Sequence, residues 1–171
     1  MEVSSDILIK AQNIKMLIMD VDGTLTDGKV YLGNNGEELK SFNVRDGLGI
    51  KLIAKHNIKT AIITGRESEI VANRAKELDI KEVYQGIDNK KRIYYDLKKK
   101  YNLLNKDIAY VGDDLNDLEL LKVVGLSLTV NDAVKEVKKN CDFISSKNGG
   151  EGAVRDIIDL IIKSKKLLQD Y

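Results

Sequence analysis

The sequence is poor in the residues on which several classes of enzyme depend. Among its 171 residues it has one cysteine, Cys141, and one histidine, His56. A single cysteine excludes an internal disulfide and a cysteine-rich metal site, and the neighbours of Cys141 predict a short strand in which it belongs to the core. Because the only histidine lies in a polar stretch, a Ser-His or Cys-His catalytic triad is not expected.

The sequence also lacks proline, an excess of charge of either sign and any long apolar run. With no rigid spacer and no low-complexity tract, we expect a single domain over residues 1–171. Lys and Arg number 28 and Asp and Glu 27, so no overall field attracts nucleic acid or an anionic membrane. Charged residues interrupt residues 1–15, which excludes a signal-peptide core or membrane span there and favours a cytoplasmic protein.

Short apolar runs alternate with segments of helical spacing along the chain. The predicted strands are 15–19, 60–63, 82–84, 108–111, 126–130 and one near Phe143. The predicted helices are 48–55, 68–78, 89–101, 116–124 and about 152–168. Repeated β-α units of this length predict a Rossmann-like α/β fold, in which a parallel sheet is flanked by helices on both faces.

Residues 29–42 depart from this alternation. Two strand-like segments, 29–32 and 37–42, flank the turn-rich tetrapeptide Gly33-Asn34-Asn35-Gly36. We predict a small β-hairpin flap over about 29–42 that projects beside the loop after the first strand.

Acids, a hydroxyl and a cation follow the predicted strands, at the edge where open parallel sheets bind ligands. They are Asp20 and Asp22 after the first strand, Thr64 after the second, Lys90 at the start of a helix, and Asp113 in Gly112-Asp113-Asp114-Leu115-Asn116-Asp117. Crowded carboxylates repel one another unless a cation lies among them, and oxygen ligands without His or Cys select a hard ion. The pattern predicts a Mg²⁺ site directed at a phosphate.

These residue types meet the needs of phosphoryl transfer. Asp20 is the predicted nucleophile, and its attack on phosphorus would form an aspartyl phosphate. Asp22 would protonate the leaving oxygen and then deprotonate the attacking water. Thr64 would donate a hydrogen bond, and Lys90 would offset the charge of the transferring group. Each motif alone is more often a turn or a helix cap, but four in order at one sheet edge favour a phosphatase.

The four motifs resemble the signatures of the haloacid dehalogenase superfamily. The matching segments are Asp20-Val21-Asp22-Gly23-Thr24, Thr64, Lys90 and residues 112–117. This resemblance implies that the Asp20 side chain, the Asp22 backbone carbonyl and Asp113 bind the metal. It implies that Asp114 and Asp117 support the site through water.

Residues 33–40, 42–47 and 149–155 resemble the small capless branch of that superfamily, which hydrolyses the 8-phosphate of an eight-carbon sugar acid. The resemblance implies a homotetramer in which the hairpins pack together and a neighbouring subunit completes each site. It also implies a set of substrate-binding residues: Asp22, Asn43, Val44, Arg45, Asp46, Gly47, Lys51, Arg66, Arg74 and Lys90. Arg45 and Arg66 suit this role best, because guanidinium groups bind carboxylate and phosphate in bidentate fashion. Arg74 can instead form a surface ion pair with a glutamate of its own helix.

Two other functions fit part of the pattern. A phosphatase of a nine-carbon, sialic-acid-type sugar 9-phosphate would share the fold and mechanism, although residues 43–47 and 64–66 resemble the eight-carbon branch. A phosphorylatable receiver domain of a signalling pathway also combines an acidic pair, a threonine, a lysine and a parallel sheet. A receiver places its phosphate-accepting aspartate at a later strand end, where this sequence has Thr64.

Overall fold

The computed structural model describes residues 3–34 and 38–166 as alternating strands and helices. The strands are β1 (Met16–Met19), β2 (Tyr31–Leu32), β3 (Glu38–Leu39), β4 (Lys59–Ile63), β5 (Glu82–Tyr84), β6 (Ile108–Val111), β7 (Leu126–Thr129) and β8 (Phe143–Ile144). The helices are α1 (Ser5–Asn13), α2 (Val44–Lys55), α3 (Glu69–Glu77), α4 (Lys90–Lys100), α5 (Leu118–Leu121), α6 (Lys135–Lys139) and α7 (Ala153–Ser164).

Six strands form one parallel sheet in the order β5-β4-β1-β6-β7-β8. β1 lies in the middle, where Met16 is paired with Lys59 of β4 on one side and Ile108 of β6 on the other. All residues of β1 and β6 are buried, which explains their uninterrupted apolar character. The predicted Rossmann-like fold class is confirmed.

Two hydrophobic clusters cover the two faces of the sheet. One gathers α2 and α7, with Ile53 and Ile157 among its fully buried members. The other gathers α4 and α5, and Leu97 and Leu120 are among its fully buried members. Each such side chain contributes roughly 1.5–3 kcal/mol through burial. The sheet is therefore held from both sides, and its strand ends are fixed in space.

The hairpin flap is present but shorter than predicted. β2 and β3 pair antiparallel, with Tyr31 opposite Leu39. Asn35 and Gly36 of the predicted turn lie outside the described residues. Among the residues that the structure describes, only this flap stands between β1 and α2, and there is no cap domain.

Two of the observed helices, α1 and α6, were not predicted, and one predicted helix is shorter in the structure. The N-cap of α1 is Ser4, whose Oγ accepts a hydrogen bond from the Ile7 amide. The predicted helix 116–124 is reduced to α5, because residues 115–117 form a 3₁₀ turn. The predicted helix 152–168 is observed as α7, and residues beyond 166 lie outside the described part. None of the described helices has the length and apolar character needed to cross a membrane.

Candidate active site

Three carboxylates meet at the carboxyl end of the sheet. Asp20 follows β1, and Asp113 and Asp117 follow β6, its parallel neighbour. One carboxylate oxygen from each lies within 4.8 Å of the others. We call these three residues the acidic cluster. The predicted convergence of Asp20 and Asp113 is confirmed by this geometry.

Lys90 is the buried counter-charge of the acidic cluster. Its Nζ lies 2.7 Å from Asp117 Oδ1 and 3.0 Å from Asp20 Oδ1. Tyr110 Oη, from β6, is 3.3 Å from the same Nζ. Lys90 is also the first residue of α4, where a cation meets the unfavourable end of the helix dipole. Its position is therefore explained by the two carboxylates and not by the helix.

Both carboxylate oxygens of Asp117 accept hydrogen bonds from donors within the protein. Its Oδ1 accepts hydrogen bonds from Lys90 Nζ at 2.7 Å and Tyr110 Oη at 2.6 Å. Its Oδ2 accepts from the amides of Asp113 at 2.9 Å and Asp114 at 3.2 Å. A carboxylate has about four lone-pair sites. Asp117 therefore orients Lys90 and the 113–114 backbone, and the oxygens available to a cation belong to Asp20 and Asp113.

Burial and neighbouring negative charges disfavour the charged forms of Asp20 and Asp113. Burial raises the pKa of Asp20 to about 6, against the opposing effect of Lys90 and with a further rise from Asp117. Burial, with the charges of Asp20 and Asp117, raises the pKa of Asp113 to about 7. Burial alone would lower the pKa of Lys90, but Asp20 and Asp117 outweigh it and hold that pKa above its ordinary value. The site has more negative charge than one lysine offsets.

These residues fit a hard divalent cation. Asp20 Oδ1 is buried, and among residues 3–34 and 38–166 no donor reaches it with hydrogen-bond geometry, although Lys90 Nζ lies 3.0 Å away. The loop after β1 passes against Asp113 at Gly23, whose φ is +87° and where a Cβ atom would collide with that carboxylate. Thr24 Oγ1 donates to Asp113 Oδ1 at 3.1 Å. Mg²⁺ is a hard cation that binds oxygen ligands, usually one or two carboxylates together with phosphate oxygens and water.

Asp22 and Thr64 occupy the rim beside this cluster. The Asp22 side chain takes no part in the acidic cluster; it pairs with Lys40 of the flap, and Arg66 Nε lies 3.9 Å from its Oδ2. Thr64 is buried directly after β4, where its backbone amide donates to Tyr84 O at 3.0 Å. Both positions agree with the predicted edge of the sheet.

The predicted substrate-binding segment 43–47 has two different environments. Val44 and Arg45 are exposed at the start of α2, as is Lys51 further along the same helix. Asn43 and Asp46 face inward instead: Asn43 Nδ2 donates to Gly150 O at 3.2 Å, and Asp46 Oδ1 accepts from the Arg155 amide at 2.7 Å.

Arg74 of α3 contacts the segment 43–47. Its Nη1 donates to Glu77 Oε2 at 2.7 Å, the intrahelical ion pair that the sequence left open. Its Nη2 points to Asn43 O at 3.5 Å, and a Cβ atom at Gly47 would come within 2.5 Å of it. The guanidinium also lies 5.7 Å from the centre of the Phe42 ring. Substrate binding by Asn43, Asp46, Gly47 and Arg74 stays a prediction.

Two residues of the site were missed by sequence reasoning. Tyr110 belongs to a uniformly buried strand, and only its hydroxyl contacts distinguish it from a core residue. Lys40 follows Leu39 at the end of the short hairpin, where a lysine is usually solvated. The only available signal was its place between the first two motifs.

Replacing Tyr110 by Phe is expected to lower the free energy of unfolding by about 1–3 kcal/mol, because a buried Asp117 oxygen loses a donor. Activity should fall only modestly, since Lys90 still holds Asp117. Urea unfolding and steady-state assays measure the two effects. Tyr95→Phe, at an exposed position of α4, is the matched control. Equal stability of Tyr110→Phe and Tyr95→Phe would contradict a structural role for this hydroxyl.

In the described part of the chain, a parallel sheet carries acids and a buried lysine at its carboxyl edge and has no cap domain, an arrangement that agrees with a phosphate hydrolase. The sequence profile of the haloacid dehalogenase-like hydrolases matches residues 82–158. A curated enzyme of Escherichia coli (strain K12) is 46% identical over 168 residues, which cover 98% of this chain and 89% of that protein. The chain belongs to the haloacid dehalogenase-like hydrolases.

The particular enzyme to which the chain is similar is 3-deoxy-D-manno-octulosonate 8-phosphate phosphatase, the name of the Escherichia coli relative. The crystal structure of the Yersinia pestis enzyme of that name superposes with a TM-score of 0.96 at 42% identity, over 98% of this chain and 90% of that chain. The Moraxella catarrhalis enzyme, solved in complex with a magnesium ion, a phosphate ion and KDO, gives a TM-score of 0.94 at 40% identity, over 96% and 95% of the two chains.

Proposed function

We propose that the chain hydrolyses 3-deoxy-D-manno-octulosonate 8-phosphate to 3-deoxy-D-manno-octulosonate and phosphate, with Mg²⁺ as cofactor. The observation that carries the proposal is the meeting of buried Asp20 with half-buried Asp113 and buried Lys90 at the strand ends. This site lies in a chain whose relatives of that name match nearly its full length.

The chemistry takes place in two displacements. In the first, the Asp20 carboxylate attacks phosphorus, the bond from phosphorus to the ester oxygen breaks, and Asp22 gives that oxygen its proton. In the second, Asp22 takes a proton from water, the water oxygen attacks phosphorus, and the bond to Asp20 breaks to release phosphate. Lys90 offsets charge on the transferring group, and Thr64 donates a hydrogen bond to it.

Asp20 and Asp113 would hold the Mg²⁺ ion with their side chains, together with the Asp22 backbone carbonyl. When bound, the ion supplies positive charge that neutralises the crowded carboxylates and polarises the phosphate oxygens. The raised pKa values of Asp20 and Asp113 support this assignment, because the desolvation and repulsion that raise them would be relieved by a cation.

The stabilisation by Mg²⁺ is expected to shrink as the pH falls from about 8 to about 5. Without metal, the folded-state pKa values of Asp113 and Asp20, about 7 and about 6, exceed the ordinary value of 3.8. The folded chain thus binds protons more tightly than the unfolded chain. Their contribution to stability is full below about pH 4 and is lost as the pH rises through the two folded-state values. Because Mg²⁺ replaces those protons, it raises Tm most above pH 7.

Thermal melts with and without Mg²⁺ across this pH range measure the effect. Asp113→Asn, which removes one proposed ligand, should abolish most of the metal-dependent rise in Tm. A rise that is equally large at about pH 5 and about pH 8 would contradict the assignment of these two carboxylates.

The sugar-acid end of the substrate would be bound by residues 43–47, Lys51, Arg66 and Arg74. Arg66 is half exposed at the rim beside Asp22, and Arg45 is exposed at the start of α2, so both guanidinium groups are accessible to an anion. The inward contacts of Asn43 and Asp46 support the proposal indirectly, because they fix the backbone from which Arg45 projects.

The proposed assembly is a homotetramer in which flaps pack together and a neighbouring subunit completes each site. Supporting it, the flap exposes Tyr31, Leu32 and Leu39, and the adjacent turn of α2 exposes Val44 and Leu48. We further propose that residues 1–171 are one domain and that the protein acts in the cytoplasm. Sedimentation of the purified chain tests the assembly.

Phosphate release from a panel of sugar-acid phosphates, with and without Mg²⁺, tests the proposed function. We expect the highest kcat/KM on the eight-carbon 8-phosphate and no turnover without the metal. A higher kcat/KM on a nine-carbon 9-phosphate would replace the substrate but keep the mechanism. Turnover that does not depend on a divalent ion would overturn the mechanism.

A further inference from the structure

Four charged side chains of alternating sign join the flap to the candidate active site. Lys40 Nζ contacts Asp22 and lies 3.1 Å from Glu38 Oε1. Arg66 completes the ring, with Nη2 3.4 Å from Glu38 Oε1 and Nε 3.9 Å from Asp22 Oδ2. We call Asp22, Glu38, Lys40 and Arg66 the charge quartet. It connects the flap to the loops after β1 and β4.

The burial of Lys40 sets it apart from the other lysine of the flap region. The Lys40 side chain is 0% exposed, whereas that of Lys29 is 69% exposed. Removing an ammonium group from water costs several kcal/mol, which the carboxylates that pair with it must offset. A surface anchor for the hairpin would not need that burial, which instead places the Lys40 ammonium between Asp22 and Glu38.

Lys40 is the cation that fixes the Asp22 carboxylate. Arg66 is 52% exposed, and its 3.9 Å separation from Asp22 is longer than a hydrogen bond. In the described part of the chain, no other lysine, arginine or histidine lies within 4.0 Å of Asp22. Glu38 holds Lys40 from its other side at 3.1 Å and balances its charge.

A group that transfers protons to and from a reacting oxygen must be held within hydrogen-bond reach of it. Asp22 lies on a loop between Asp20 and the flap, and its backbone alone leaves its side-chain torsions free. We infer that Lys40 is a positioning residue, which aims Asp22 at the oxygen of the leaving group. The inference rests on the proposed phosphatase chemistry.

The test compares two aryl esters that differ in their need for a proton. p-Nitrophenyl phosphate has a good leaving group, whereas phenyl phosphate, like a sugar phosphate, has a poor one that depends on general acid help. We expect Lys40→Met to lower kcat/KM by about 10²-fold on phenyl phosphate and on the eight-carbon substrate. On p-nitrophenyl phosphate the fold-loss in kcat/KM should be smaller by a factor of about ten or more. In an Asp22→Asn background, the same substitution should add almost nothing.

Controls separate positioning from folding. Lys29→Met removes an exposed lysine near the flap and should leave both esters unaffected. Lys40→Gln is measured beside Lys40→Met, so that misfolding of one variant still leaves the comparison. Equal losses on the two aryl esters would overturn the inference, as would full additivity with Asp22→Asn, since both indicate direct phosphate contact or a purely structural role. If the parent enzyme did not hydrolyse the eight-carbon substrate, only the substrate assignment would be wrong. The two aryl esters would still test the role of Lys40.

Discussion

Asp20→Asn is expected to slow turnover by at least about 10³-fold while metal and substrate still bind. The amide has nearly the shape of the carboxylate and keeps one oxygen for a cation, but it cannot attack phosphorus. The position of Asp20 leaves no substitute, because Asp117 is occupied by four donors and Asp113 follows a different strand. Phosphate release measures turnover, and calorimetric titration measures binding.

Acid quenching during turnover provides a second readout of the same variant. The parent should yield a phosphorylated peptide that contains Asp20, and Asp20→Asn should yield none. Asp96→Asn, at an exposed position of α4, is the matched control and should behave as the parent. Near-normal turnover of Asp20→Asn would remove the covalent mechanism.

Lys90→Met is expected to lower kcat/KM by about 10²–10³-fold, the size of effect seen when a preorganised charge partner of the transition state is lost. It should also destabilise the metal-free protein by about 3–5 kcal/mol, because Asp20 and Asp117 lose their buried counter-charge. Mg²⁺ should restore part of the stability, since it neutralises the same carboxylates, but not the activity.

Urea unfolding with and without Mg²⁺, beside steady-state kinetics, measures both effects of Lys90→Met. Lys99→Met removes an exposed lysine from the same helix and should change neither. If Lys90→Met kept full activity, the proposed role of this ammonium in charge stabilisation would be wrong.

Much of the fold followed from local patterns. The predicted bounds of the strands at 82–84 and 108–111 agree with β5 and β6, because short buried runs between helices have few alternative structures. The meeting of Asp20, Asp113 and Lys90 followed from the same pattern, since parallel strands bring their carboxyl ends to one edge.

The remaining features depend on contacts between segments far apart in sequence. Asp46 is predicted to bind substrate, and the structure shows in addition that its carboxylate accepts a hydrogen bond from the Arg155 amide, 109 residues away. The contact of Lys40 with Asp22 spans 18 residues and requires the flap to fold onto the first loop. Neither periodicity nor composition encodes such a pairing, so only the assembled structure displays it.

β1 is buried in the centre of the sheet, and Asp20 follows its last residue without an intervening loop. Amides in such a strand exchange with solvent only when the whole domain opens, whereas those of an exposed two-strand hairpin exchange through local opening. On heating, the Asp20 carboxylate, the proposed nucleophile, should therefore keep its place until the cooperative transition itself, while the flap, which carries the contact of Lys40 with Asp22, can detach earlier. Heat would then first impair catalysis of esters with poor leaving groups.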